Sequence, residues 1–188
     1  PQALPFGHAV NLAAKKVTGD WLLLLNNDLI LQPTFWQGMT AMASKGYEVI
    51  GAKLIYPNNT IQHFGKWFTL DFYPFHVLRG QPADHPMAQQ PRAFPSITFA
   101  CALLRRDVWD TLGGLDESYS NGYEDDDYCV AAREAGAQIG VHHEALAIHL
   151  ESQTSGHDSA KKEAQWTKFH KKWVESGRIQ WSLGMLQG

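Results

Sequence analysis

The sequence predicts an α/β fold, a Rossmann-like sandwich with a mostly parallel central sheet flanked by helices. Short apolar runs bounded by polar residues alternate along the chain with segments whose apolar residues recur every third or fourth position. The first pattern suits strands covered on both faces and the second suits helices lying on them. The length, 188 residues, fits one domain at the usual ~100–200 residues and is enough to enclose a core.

Taken in order, residues 11–16 read as a short helix that stops near Gly19. Trp21 to Leu25, WLLLL, is a continuous apolar run and reads as a strand buried on both faces. Pro33 suits a helix start, because its missing N–H is not needed there, and Phe35, Trp36, Met39, Met42 and Ala43 then follow at helical spacing up to Gly46. Residues 48–55 form the next strand, and PNNT at 57–60 is a turn in which Asn tolerates left-handed geometry. The proline-dense stretch 74–95 reads as a long loop. Residues 97–104 are a further strand, after which Asp107 caps a helix carrying Val108, Trp109 and Leu112 and ended by Gly113 and Gly114. A helix over 125–135 stops at Gly136 and is followed by two short strands, 138–141 and 145–148. The tail from near His157 places Trp166, Phe169 and Trp173 on one helical face, which predicts a helix packed on the domain; docking on a membrane surface is the lesser reading. The chain is thus read as a single domain, 1–188, with a core over 1–155 and a C-terminal amphipathic helix region over 156–188.

Composition narrows the function classes. A formal charge of −3 and no basic stripe disfavour nucleic acid as a partner, since duplex binding needs clustered cations to neutralise phosphates. The apolar runs fall far short of the ~20 residues that cross a bilayer. Residues 1–10 lack the pattern of a secretory leader, and Cys101 and Cys129 show no metal-type spacing, so a reducing, cytoplasmic setting is expected.

Three constellations could carry chemistry. Asn26, Asn27 and Asp28 follow the first strand directly, at the carboxyl edge where ligands gather in open α/β sheets. Asp28 leads among them, and a turn or cap role is its plain alternative. Second, Glu124 to Asp127 put four carboxylates at the start of a helix. The helix dipole accounts for one or two acids there. Crowding of the remainder can leave one carboxylate basic enough to take a hydroxyl proton, and a solvated acidic surface is the alternative. Third, His142, His143 and His149 surround a strand; alternation puts His143 and His149 on one face and His142 on the other. His149 could join a carboxylate in holding a divalent ion, although a single histidine is more often simply packed.

In order, PFGHAVNLAA, GDWLLLLNNDLILQP, GAKLIYPNNTIQHFG, ACALLRRDVWDTLGGLDESY, GYEDDDYC, REAGAQIG and AIHLES resemble the family 2 glycosyltransferases, inverting enzymes of the GT-A fold. The likeness is to bacterial members that build rhamnose-containing or other surface polysaccharides, whose motifs read LNND, PdGtiqh, GGfDE, EDvDlC and iH. It implies that Asn26, Asn27 and Asp28 match the donor-binding DxD-type motif, with Asn26 replacing its first acid. It also implies that Asp28 and His149 hold Mg2+ or Mn2+ against the donor diphosphate, and that Asn11 lies near the donor nucleotide. Asp125 would be the general base, with Glu124 orienting acceptor or base and Asp127 bonding to backbone at the helix end. Gly113, Gly114 and Asp116 would line the acceptor. The partners implied are a nucleoside-diphosphate sugar and a glycan or lipid-linked acceptor, met at the inner face of the plasma membrane.

The family usually begins with a strand, helix, strand, helix segment that holds the nucleotide base. The resemblance therefore implies a fragment whose N-terminal segment, or a partner chain, completes the donor pocket. Two competing readings follow: a carbohydrate-binding module that keeps the transferase scaffold without catalysis, motivated by Asn26 and the absent donor half, and a metal-dependent hydrolase, which leaves LGGLDE and PNNTIQH unexplained.

Overall fold

The computed structural model describes residues 4–150 and 159–179. Their order is α1 (Phe6–Ala14), β1 (Trp21–Leu25), β2 (Leu29–Leu31), α2 (Phe35–Ser44), β3 (Val49–Ile55), β4 (Ile61–His63), β5 (Lys66–Phe68), β6 (Pro74–His76), a 3-10 turn (Pro86–Ala88), β7 (Arg92–Ala93), β8 (Cys101–Arg105), α3 (Arg106–Leu112), α4 (Glu124–Glu134), β9 (Ile139–His149), α5 (Ser159–His170) and a π-helical turn (Lys171–Glu175). The expected boundary at 155 and the tail's start near His157 lie outside the described residues.

The main sheet runs β1-β8-β3-β9-β2, with β4 beside β3 and β7 beside β9; β5 and β6 form a separate hairpin. β1, β3 and β9 share one direction and β8 is inserted against them between β1 and β3, so the parallel ladder is the one between β3 and β9. Alternation along the strands feeds two cores. Ile50, Ala52, Leu54, Cys101 and Leu103 face α2 with its buried Phe35, Met39 and Met42. Val49, Ala102 and Leu104 face the other side, where Ala14 of α1, Trp109 of α3 and Tyr128, Cys129 and Ala132 of α4 pack. Each fully buried side chain of this size stabilises the fold by about 1.5–3 kcal/mol.

Several local expectations are corrected. The first helix starts at Phe6, five residues before the expected Asn11, because α1 lays Gly7, Asn11 and Ala14 on the domain. β1 is not covered on both faces: it is one of the sheet's edge strands, and Leu25 is 46% exposed. Beside it, α1 and β1 enclose an apolar groove of about 500 Å³. The strand expected from Ile97 begins at Cys101, since residues 97–100 form the turn that carries Ile97 and Phe99 into the core. Asp107 does not cap α3; it lies in the first turn, where it meets Arg105 at 2.6 Å. The 74–95 stretch is built, holding β6, the 3-10 turn and β7.

The two strands expected over 138–148 are one strand, β9, broken in register but not in direction. Ala52 lies opposite His142 and Lys53 opposite Leu146, so residues 143–145 bulge. The bulge also brings the rings of His142 and His143 into a stack at 4.6 Å, overturning their assignment to opposite faces, because alternation fails where the pleat is interrupted. Helix α2 presses on this bulge at Gly38, where a Cβ would stand 2.2 Å from the Ala145 nitrogen. Gly38→Ala is therefore expected to destabilise the fold by about 3 kcal/mol, the upper range for overpacking. A urea midpoint equal to wild type would refute that close approach.

The C-terminal elements confirm the packing reading for the aromatic tail. Phe169 and Trp173 are fully buried against Phe68, Phe72, Tyr119 and Val130.

Candidate functional site

β1 ends at Leu25, and the chain turns through Asn26, Asn27 and Asp28 into β2, which pairs antiparallel with the end of β9 so that Leu29 lies opposite His149. The Leu150 N–H closes this ladder on the Asp28 carbonyl at 3.0 Å. Asp28 and His149, 121 residues apart in sequence, thus become cross-strand neighbours, with His149 Nε2 3.0 Å from Asp28 Oδ1.

The His149 ring is buried, and its Nδ1 lies 2.7 Å from Gln62 Oε1 on β4. A carbonyl oxygen accepts, so Nδ1 carries the proton and the Nε2 lone pair faces the Asp28 carboxylate. Nε2 and Oδ1 are both atoms of the kinds that ligate a divalent cation. Their separation matches that of adjacent donors about an octahedral divalent ion with ligands near ~2.1 Å, which stand about 3.0 Å apart. The donor set therefore fits such an ion, with Gln62 setting the tautomer from behind. Gln62 sits inside the PNNTIQH segment but had no role assigned from sequence.

A cleft of about 690 Å³ opens beside this pair, lined by residues including Asn26, Thr98, Asn121, Glu124, Asp125 and His149. Asp125 and Glu124 reach it from the first turn of α4, which Tyr123 enters in a left-handed conformation, φ 70°. Asp125 is the more accessible acid: its side chain is 16% exposed, Oδ1 accepts from the Asp126 N–H at 2.9 Å, and Oδ2 meets Lys66 Nζ at 2.6 Å. Lys66 is enclosed; burial opposes its charge, but Asp125 and Asp126 outweigh that and hold its pKa above the ordinary range. Burial, with Asp125 adding to it, raises the Glu124 pKa, and its Oε2 accepts from the Gly122 N–H.

The structure thus brings Asn26, Asp28, Glu124, Asp125 and His149 together, while Asn27 is exposed in the adjoining turn. It does not bring the other expected residues there. Asn11 is a buried clamp: both amide hydrogens are used, on the Leu115 carbonyl at 2.8 Å and Glu117 Oε1 at 2.9 Å, and its Oδ1 accepts from the Leu115 N–H. Gly114, at φ +86°, would put a Cβ 2.5 Å from Asn11 Oδ1, so the clamp requires glycine here. Gly113 is the left-handed cap of α3 and borders a different hollow, with Asn11 and Glu117. Asp116 is engaged internally by Ser118 and by Lys172 at 3.0 Å; burial pushes its pKa up, but those partners prevail and hold it at about 2. Asp127 bonds to side chains, not backbone as expected: Lys172 Nζ, Trp173 Nε1 and the Tyr119 hydroxyl all donate to it.

Cys101 and Cys129 are free, buried thiols whose pKa burial pushes up to about 12, and neither lines the cleft.

The geometry can be set beside known proteins. Residues 5–170 match the family described as "Glycosyltransferase like family 2". The chain belongs to that family. Among curated relatives of this family 2 domain, the O-antigen biosynthesis protein RfbC of Myxococcus xanthus is 29% identical over 88% of the chain, and the uncharacterized protein y4gI of Sinorhizobium fredii is 30% identical over 88%. The chain spans 14% and 19% of the lengths of those two proteins. Among solved structures, GalNAc-T7 with UDP, GalNAc and Mn2+ superposes with a TM-score of 0.68 at 14% identity, covering 90% of this chain and 35% of that one. The mannosyltransferase PcManGT of Pyrobaculum calidifontis, with GDP-Man and Mn2+, gives 0.59 at 11%, covering 93% and 45%. The fold is GT-A, as the sequence led us to expect. Among the described residues, no helix is long and apolar enough to cross a membrane.

Proposed function

We propose that this domain transfers a sugar from a nucleoside-diphosphate donor to a hydroxyl of a glycan or lipid-linked acceptor, with inversion at the anomeric carbon and with a divalent cation, in the synthesis of a cell-surface polysaccharide. One observation carries the reading: a single cleft is lined both by His149, which is paired with the Asp28 carboxylate, and by Asp125, a part-exposed carboxylate at a helix start.

Asp28 and His149 would hold Mg2+ or Mn2+. Bound there, such an ion neutralises charge on the departing diphosphate. Asp125 removes the proton of the acceptor hydroxyl as its oxygen attacks the face opposite the leaving group, and a single displacement inverts the centre. Glu124, beside it in the same cleft, orients the acceptor or the base. Gln62 keeps the His149 lone pair turned toward Asp28. Asn26 approaches the donor from the end of β1, its N–H anchored on the Ala100 carbonyl at 2.9 Å. The edge position of β1 and the apolar groove beside it support a donor pocket that extends over this face. We place the domain on the cytoplasmic side, where nucleotide sugars are available.

Mn2+ titration followed by the electron paramagnetic resonance of the free ion tests the reading without turnover. Asp28→Ala is expected to weaken Mn2+ binding in the presence of nucleoside diphosphate by about tenfold or more, and Gln62→Leu by about 10–100-fold through loss of ring orientation. Binding indifferent to Asp28 would reject the assignment. Metal-coupled nucleotide binding with no sugar transfer by the intact protein would favour a binding module.

A further inference from the structure

The four acids at the start of α4 do not act alike, and the difference is made by one lysine distant in sequence. We propose that Lys66 and Asp126 are positioning residues for Asp125, forming a three-group unit in which one buried ammonium is shared by two carboxylates so that Asp125 can gain a proton without stranding the cation. This rests on Asp125 being the proton acceptor of the proposed transfer.

Register places Lys66. On β5 it lies opposite His76 of β6, and its N–H bonds the Ser96 carbonyl at 2.8 Å, which aims the side chain at α4. Its Nζ then meets Asp125 Oδ2 at 2.6 Å and the two Asp126 oxygens at 3.1 and 3.2 Å. The two acids face different surroundings: Asp125 opens on the cleft, whereas the Asp126 side chain is 4% exposed and also accepts from Ser96 Oγ at 2.5 Å. One carboxylate faces substrate, one faces the core, and the ammonium stands between them.

That arrangement suits both protonation states. In the transfer, the acceptor oxygen bonds to the anomeric carbon, the carbon–oxygen bond to the diphosphate breaks with its electron pair leaving on the diphosphate, and the acceptor's proton passes to the Asp125 carboxylate. Asp125 is then neutral, and Lys66 remains paired with Asp126, whose Oδ1 also accepts from Ser96 Oγ. Without Asp126, protonating Asp125 would leave a buried ammonium unpaired, which costs several kcal/mol and makes Asp125 a poor base. Without Lys66, two adjacent carboxylates would face each other with no cation between them, and their repulsion would disfavour the charged form that a base needs. Burial raises the Asp126 pKa, with Lys66 opposing the rise and Asp125 adding to it.

The other titratable groups facing the unit include Glu124 and Cys129 on α4, Tyr119 and Tyr123 ahead of it, His76 on β6 and His63 on β4, with Arg79 acting on His76. His63 and His76 stand 3.0 Å apart through their Nδ1 atoms; burial lowers both pKa values, His76 to about 4, so neither gains charge near neutrality.

The test is a carboxyl-carbon NMR titration of the domain with labelled aspartate, the Asp125 signal being identified by its loss in Asp125→Asn. Lys66→Met is expected to raise the Asp125 midpoint by about one pH unit, and Asp126→Asn to lower it by about one pH unit. Opposite signs from two neighbours are not what loss of packing would produce. Shifts in the same direction, or none, would overturn the proposal. Should Lys66→Met not fold, Asp126→Asn decides alone, because it leaves Lys66 paired with Asp125; a midpoint unchanged or raised overturns the proposal. Sugar transfer that survives Asp125→Asn would remove the base assignment while leaving the titration to be read, so the two failures are distinct.

Discussion

Asp125→Asn is expected to cut sugar transfer by the intact protein about 10²–10⁴-fold, the usual contribution of a positioned general base, while leaving Mn2+ binding at Asp28 and His149 unchanged. The amide has nearly the shape of the carboxylate and can still accept from the Asp126 N–H, but it cannot take a proton from an attacking hydroxyl. Lys66 keeps Asp126 as a counter-charge, so the substitution strands no cation and the fold should persist. The experiment compares nucleoside diphosphate release with the mass of the glycosylated acceptor, alongside thermal unfolding. A turnover rate within a few-fold of wild type would take Asp125 out of the base role, and a collapsed unfolding transition would show that the acid acts mainly in stability.

Asp127→Ala should have the larger effect on stability, about 3–5 kcal/mol, because it removes the shared partner of three groups at once. Lys172, the Trp173 indole and the Tyr119 hydroxyl converge on this carboxylate, and Trp173 and Tyr119 are fully buried. Truncation would leave an indole N–H and a hydroxyl without an acceptor in a dry setting and an ammonium without its anion, although Lys172 retains Asp116. Asp127→Asn, which preserves an acceptor oxygen for the indole, should lose less. Urea unfolding of the pair checks this: equal midpoints for Ala and wild type would mean that the C-terminal helix is held by its apolar face alone.

Much of the active face was legible, and the reasons are local. Asn26 to Asp28 directly follow an apolar strand, and His149 ends one, so position along the chain already suggested the carboxyl edge of a sheet. The acidic run at Glu124 announced a helix start with more charge than capping needs. What escaped notice is non-local. Lys66 lies in a three-residue strand, 59 positions from Asp125, with nothing around it to distinguish a buried ammonium from a surface one. Gln62 drew no role inside the PNNTIQH segment because its partner, His149, lies 87 residues onward. The glycine pair and Asp116 suggested a sugar-binding loop; that Gly114 abuts Asn11 and Asp116 meets Lys172 was not readable, because both partners are distant in sequence. The insertion of β8 between β1 and β3 is likewise a matter of pairing, which apolar patterning does not encode. Patterning did anticipate β9, but as two strands, since a bulge interrupts the alternation that signals a strand.

The Asp28–His149 pair is gripped by a strand ladder, whereas Asp125 rides on the opening turn of a helix. These two grips share no backbone, so under the proposed transfer drift in the α4 turn would retune which alcohol is activated without disturbing how the leaving group is held. A scaffold divided in this way lets one side of a reaction be inherited while the other is free to change.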